Sequence, residues 1–340
     1  MKLSRLSVVD PRWREIWEGW DERDPFAHPD YGRLFAPSGE TPFALLGEDD
    51  GGAVLFPLLH REISGGGHDL SNPYGYGGPF RLGDPDGAAF WREARAWLAD
   101  EGYATLFARL SLFTEALALP EDGVIEAQPN VVRTLDLDPD AMFMDYDHKV
   151  RKNVKRAERA GLRVEFDEGG AEIGRFAEIY LATMNRAGAA PYYRFDETLF
   201  RDLSRSMPGS FVFAHVYRES EIVSTELVLR SARRLYSFLG GTDEAAFADR
   251  PNDLLKHETI RWGRLQGYRE YVLGGGVATP GNGGEDGIFR YKLAFAPEGR
   301  RPFRTLRLIT DPEANARLLV ARAADPAWSP HPGFFPAYRG

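Results

Sequence analysis

Trp262-Gly263-Arg264-Leu265-Gln266-Gly267-Tyr268 restates a pattern already present at Trp97-Leu98-Ala99-Asp100-Glu101-Gly102-Tyr103: tryptophan, four residues, then Gly-Tyr. Each copy follows a helix-forming stretch and precedes a strand-like run, Ala104 to Leu110 in the first and Arg269 to Leu273 in the second. Gly102 and Gly267 stand where a helix needs a left-handed residue just past its end. Upstream, Tyr74-Gly75-Tyr76-Gly77-Gly78 precedes one helix, and Tyr236 through Gly240-Gly241 precedes the other. Strand-like runs lie before both: Ala53–Leu59 and Asp69–Leu70 in the first half, Val212–Tyr217, Ile222–Leu229 and Leu235–Leu239 in the second. Each half reads as a meander of strands, a helix and a further strand. That is an α+β class with mixed sheets flanked by helices, and the matching order predicts an internal duplication.

The chain has 340 residues, enough for two domains. The boundary is expected near Asp136–Asp147, giving domains 1–147 and 148–340. A hydrophobic fraction of 43% excludes a disordered chain. With no cysteine there are no disulfides, thiol nucleophiles or thiolate metal sites. Met1–Arg14 has no apolar stretch of the kind a secretory signal needs, and no apolar run approaches a membrane span, so a soluble cytoplasmic protein is expected. The tail from Asp325 to Gly340 reads as an irregular strap or a flexible end. The net charge of −9 conceals a split: residues 1–147 hold 12 Lys+Arg against 27 Asp+Glu, and residues 148–340 hold 30 against 24. The split points to an anionic partner for the second half; the alternative is an acidic surface that serves solubility.

Several constellations in the second half carry chemistry. Residues 149–159 form a basic helix whose apolar stripe is Val150, Val154 and Ala157, with Lys149, Arg151, Lys152, Lys155, Arg156 and Arg159 around it. It reads either as a phosphate-binding face, with Lys152 and Arg156 as candidates, or as a solvated helix surface. A pI of 5.4 argues against a general nucleic-acid binder. In RPNDLLKHETIRWG (250–263), Asn252 or Asp253 caps a helix, and Lys256 and His257 near its amino end are binding candidates, His257 also as a base. A strand at 271–274 runs into Gly274-Gly275-Gly276 and a glycine-rich loop. Arg290 and Lys292 follow: they share a face on a strand and not on a helix. Cations at the exit of a glycine loop suit an anionic ligand or a developing oxyanion. Glu226 is a lone carboxylate in an apolar strand, either a proton acceptor or half of an ion pair with an arginine across the sheet. There is no Walker A motif, no GxGxxG opening a helix, no GxSxG, and no metal or cofactor signature.

The blocks STELVL (224–229), YSFLGGT (236–242), RPNDLLKHE (250–258), YVLGGG (271–276), DGIFRYKLAFAPEG (286–299) and RKNVKRAERAGLRV (151–164) together resemble the Fem (FemAB/FemX) family of peptidoglycan-bridge aminoacyltransferases. The likeness is clearest across about 148–300; in the first half DLSNPYGYGGP (69–79) matches, and it makes Tyr74 and Tyr76 substrate candidates. The resemblance implies two tandem GNAT-like domains, one acidic and one basic. It also implies transfer of an aminoacyl group from aminoacyl-tRNA to an amine of a peptidoglycan precursor or related peptide, with Lys292 near the reacting ester and no further cofactor. The long charged helical hairpin of some members is absent. Acyl-CoA is the rival donor, although the R/Q-x-x-G-x-G/A turn that binds its pyrophosphate is not found. A non-catalytic binder of nucleotide-linked glycopeptides is the rival of another class.

Overall fold

A computed structural model describes residues 1–63, 66–276 and 286–340. In chain order the elements are β1 (Lys2–Ser7), α1 (Pro11–Glu18), α2 (Pro29–Leu34), β2 (Glu40–Asp49), β3 (Gly52–Glu62), β4 (His68–Ser71), β5 (Phe80–Gly83), α3 (Gly87–Asp100), β6 (Thr105–Arg109) and β7 (Val124–Thr134). There follow α4 (Pro139–Asp145), α5 (His148–Arg159), β8 (Arg163–Asp167), α6 (Ile173–Arg186), α7 (Glu197–Ser206), β9 (Phe211–Arg218), β10 (Glu221–Arg230), β11 (Arg234–Thr242), α8 (Pro251–Leu265), β12 (Glu270–Gly274), α9 (Gly287–Leu293), β13 (Arg300–Ile309) and α10 (Pro312–Ala323). The architecture is α+β, as expected. Among the described residues no helix is long and apolar enough to cross a membrane.

The chain divides into two compact units, Met1–Ala127 with Pro302–Gly340, and Gln128–Arg301. The expected boundary near residue 147 is corrected twice over. Strand β7, carrying Val131 into the second core, already belongs to that unit from residue 128, and the last 39 residues return to the first. The correction also removes the basic domain. The first unit holds 16 Lys+Arg against 25 Asp+Glu and the second 26 against 26, so the second is neutral. The positive charge is local, concentrated on α5.

The expected echo is present. In the first unit β2, β3 and β4 form an antiparallel meander, and α3 leads to β6, which pairs parallel with β4 at Leu70↔Leu106. In the second, β8 to β11 form the meander, and α8 leads to β12, which pairs parallel with β11. Both helices stop alike. Gly102 (φ 73) and Gly267 (φ 86) take the left-handed conformation, and the next residue's N–H bonds back across the turn, Tyr103 to Leu98 O at 3.1 Å and Tyr268 to Gly263 O at 3.0 Å. At the head of α3 the Asp86 carboxylate accepts from Ala89 N at 3.0 Å. On α8, Pro251 occupies the first turn, where its missing N–H costs nothing.

Strand β9 is buried without a break from Phe211 to Val216 because both its faces are covered. Val212, Ala214 and Val216 join the core beneath α5 and α8 with Val150, Val154 and Leu254. On the alternate face Phe213 lies 4.8 Å from Phe176 of α6, and His215 stacks on Phe213.

In the first unit the tail resolves as a strap. Asp69, fully buried, accepts from Arg61 Nε at 2.8 Å, from Arg339 Nε at 2.7 Å and from Tyr338 OH at 2.9 Å. The Tyr338 hydroxyl also meets Thr105 Oγ1 at 2.8 Å. Arg339→Ala is expected to destabilise this unit by about 2 kcal/mol, the scale of a hydrogen-bonded charge removed from a buried partner. Tryptophan fluorescence in urea reports it, because six of the seven tryptophans lie in this unit.

A second expectation concerns acid. The His28 Nδ1 accepts from Asp30 N at 3.1 Å, so the ring is neutral, and burial together with the Arg14 charge lowers its pKa to about 4. Unfolded histidine protonates near 6.5. Stability contributed by His28 is therefore complete above about 6.5, falls by about 1.4 kcal/mol per pH unit below it, and levels off near 4. In His28→Asn, which keeps a capping side chain, the same fluorescence transition loses that increment of slope.

Candidate active site

Strands β11 and β12 run parallel only from Arg234↔Glu270 to Tyr236↔Val272. Beyond Tyr236, β11 continues to Thr242 bonded to β10 alone, while Gly274 at the end of β12 pairs with Val131 of β7. The separating strands open a cavity of about 360 Å³, walled by Ser237–Thr242 of β11, the first turns of α8, the inner side of α9 and the end of α6. It lies wholly within the second unit.

A closed circuit of hydrogen bonds forms one wall. Glu226 of β10 and Lys256 of α8 are both 7% exposed and form an ion pair through Oε1 and Nζ. The Lys256 ammonium also donates to Ser237 Oγ at 2.7 Å and to Tyr271 OH at 3.2 Å, which uses all three of its hydrogens. Ser237 in turn donates to Glu226 Oε1, and Tyr271 donates to Glu226 Oε2 at 2.7 Å. Burial, then the Glu226 charge, pushes the Tyr271 phenol well above its ordinary pKa, so it remains a donor. Glu226 thus has an ion pair, with a lysine of a helix rather than an arginine across the sheet, and accepts three hydrogen bonds.

Lys292 stands apart from the circuit. Its Nζ donates to Gly275 O at 2.6 Å, and no carboxylate lies within ion-pair distance among the described residues. Burial, and next the charge of Lys256, lower its pKa to about 8, against the opposing pull of Glu226 and Asp286. Asp286 caps α9 through Phe289 N at 2.7 Å. Its carboxylate comes so close to Gly276 that a Cβ there would lie 2.0 Å from Oδ2, so a side chain at 276 would have to displace the Asp286 carboxylate. Among the described residues the Tyr291 hydroxyl, buried beside Asn252, finds no hydrogen bond of ordinary geometry, and burial raises its pKa.

The structure brings together Glu226, Asn252, Lys256 and Lys292 on the cavity wall, with Gly275 holding Lys292. It separates others. Residues 287–293 form a helix, so Arg290 and Lys292 do not share a face; Arg290 is exposed and does not line the cavity. His257 is turned to another face of α8, its Nδ1 3.4 Å from Tyr146 OH and its ring 5.2 Å from Phe143. Burial and Arg261 lower its pKa to about 4, which makes it a neutral core histidine. Lys152 and Arg156 are exposed on α5, away from its buried stripe, and do not line the cavity. Tyr74 and Tyr76 belong to the first unit, where the Tyr74 carbonyl accepts from Tyr31 OH at 2.6 Å and the Tyr76 ring meets Phe26 edge-on. Gly274 ends β12 with φ 84. The glycine-rich loop after Gly276, with Glu285, lies outside the described residues. Sequence reading missed Ser237, Tyr271, Tyr291, Thr183, Arg186 and Phe247. One signal was available: Asn252 and Lys256, one turn apart on α8, share a face of that helix.

Residues 145–293 match a family model described as an acetyltransferase (GNAT) domain. The structure of FemX aligns with a TM-score of 0.66 at 12% identity, covering 89% of this chain and 97% of that one. L-PGS from Bacillus licheniformis aligns with a TM-score of 0.58 at 14% identity, covering 93% and 97%. The C-terminal domain of a protein named as a lysylphosphatidylglycerol synthetase, from Agrobacterium fabrum, gives 0.55 at 14%, covering 92% and 94%. No curated protein sequence matches the chain. At these identities the likeness is one of fold, and at that level the resemblance to the Fem family holds. The chain has a tandem GNAT-like fold, an acyltransferase fold similar to that of FemX, with its GNAT-domain match in the unit that holds the cavity.

Proposed function

We propose that the protein is an N-acyltransferase that moves an aminoacyl group from the 3′ ester of an aminoacyl-tRNA to an amine of a peptidoglycan precursor or related peptide. The observation that carries this reading is the Lys292 ammonium, held at the cavity by the Gly275 carbonyl with no carboxylate of the described residues within ion-pair distance. The cavity volume of about 360 Å³ is that of a small-molecule site. In the reaction the acceptor nitrogen attacks the ester carbonyl, and a C–N bond forms as the C–O bond breaks. The carbonyl oxygen gains negative charge that Lys292 stabilises. The amine proton ends on the departing ribose oxygen. Glu226, already accepting three hydrogen bonds, is assigned to holding Lys256 rather than to proton abstraction. The neighbour named for lysylphosphatidylglycerol carries an aminoacyl group in its name, which favours this donor. The description of the matching GNAT domain as an acetyltransferase favours acetyl-CoA as the second reading. Thermal-shift titration with tRNA, a UDP-linked muropeptide and acetyl-CoA separates the two: stabilisation by acetyl-CoA alone supports the second. Turnover separates either from a binder of glycopeptides.

Three outcomes are expected. Lys292→Ala lowers the transfer rate by about 10²–10³ with the fold intact, the usual cost of one oxyanion donor; full activity in that variant would refute the assignment. Because the group is charged below a pKa of about 8 and neutral above it, the wild-type rate falls as pH rises through about 8, whereas Lys292→Arg shows no such fall. Glu226→Gln strands the buried Lys256 charge and destabilises the second unit by about 3–5 kcal/mol in urea unfolding. Loss of rate at unchanged stability would instead restore Glu226 as the base.

A further inference from the structure

Arg186, at the end of α6, is the third cation on the cavity wall and takes no part in the circuit. Its guanidinium lies over the Phe247 ring, 5.0 Å from the centroid, and its Nη2 donates to Thr242 O at 3.0 Å and Thr183 Oγ1 at 3.3 Å. Among the described residues no carboxylate pairs with it. The nearby acids are engaged elsewhere, Asp243 with Arg175 and Asp249 with Arg218. Phe247 remains 43% exposed although it lines the cavity. The result is a flat, cationic, apolar surface at a cavity whose one wall carboxylate among the described residues, Glu226, is already neutralised by Lys256.

Resting on the acyl-transfer reading above, we propose that Arg186 and Phe247 form the docking platform for the 3′-terminal nucleotide of the RNA donor. The base lies on the stacked ring and guanidinium, the geometry by which unstacked bases are held. The 5′-phosphate of the same nucleotide meets Arg186, which has hydrogen-bonding capacity left and no counterion among the described residues, with Lys292 charged on the same cavity wall. The 3′ ester then points inward to Lys292. Arg186 is a positioning and binding residue here, not one that moves a proton.

Calorimetric titration with two probes tests this: adenosine 5′-monophosphate bearing a non-hydrolysable 3′-aminoacyl amide, and the same compound without the phosphate. Wild type is expected to bind the nucleotide more tightly than the nucleoside. Phe247→Ala weakens both by about tenfold, the scale of one base–aromatic stack, and Phe247→Trp retains binding. Arg186→Gln weakens the nucleotide more than the nucleoside, closing the gap between the two probes, and in turnover it raises KM for aminoacyl-tRNA with kcat kept. Thermal melts check that each variant folds; both side chains are exposed, so folding is expected. Unchanged affinities in Phe247→Ala and Arg186→Gln, or no binding of either probe by an enzyme that does transfer from aminoacyl-tRNA, overturn the platform and leave the reading intact. Transfer from acetyl-CoA with none from aminoacyl-tRNA overturns the reading, and the platform with it.

Discussion

The Glu226–Lys256 ion pair is the interaction on which the site depends. A carboxylate and an ammonium taken out of water are stable together only when their remaining hydrogens and lone pairs find partners. Ser237 and Tyr271 supply them, and in doing so fasten three strands to one helix: Glu226 from β10, Ser237 from β11, Tyr271 from β12 and Lys256 from α8. The parallel strands β11 and β12 part just beyond this point, at Tyr236↔Val272. The circuit therefore braces the sheet where its own ladder ends, and the cavity exists because the sheet opens there without coming apart. A like charge in the braced wall also helps to hold Lys292 at a pKa near 8.

Much of the fold was legible because it is written in short-range rules. The two Trp-x₄-Gly-Tyr stops announced matching helices, since a left-handed residue after a helix is a local demand that glycine meets. The stripe Val150, Val154, Ala157 announced α5 in the same way. The circuit was not legible, because its members lie far apart in sequence and meet through a register shift between Leu227 and Val228 and a crossover of α8. Reading Glu226 as a lone carboxylate was reasonable along the strand and incomplete across it. His257 looked functional by its company in RPNDLLKHE, yet the 3.6-residue period of α8 turns it from Lys256's neighbourhood towards Tyr146.

Charge misled for a different reason. A sum over contiguous halves assumes that the chain's units are contiguous. With residues 302–340 returned to the first unit and 128–147 given to the second, the apparent basic domain becomes neutral. What attracts anions is then a matter of local cations, Lys292 and Arg186 at the cavity, neither with a carboxylate partner among the described residues, and the exposed face of α5, each acting over about a Debye length rather than as a field of the whole unit.

The discontinuous first unit has a consequence for how the protein is made. Strand β6 leaves the ribosome early, yet β13, the strand that pairs with it at Leu306↔Ala108, is not synthesised until the entire second unit has been. At ordinary elongation rates that interval is on the order of ten seconds. The second unit, contiguous in sequence, completes itself first, although the first was begun before it. Through that interval the Asp69 carboxylate has Arg61 but neither Tyr338 nor Arg339. The earliest-made unit is thus the last to be sealed, and its unfinished sheet edge is the part of the nascent chain most in need of a chaperone.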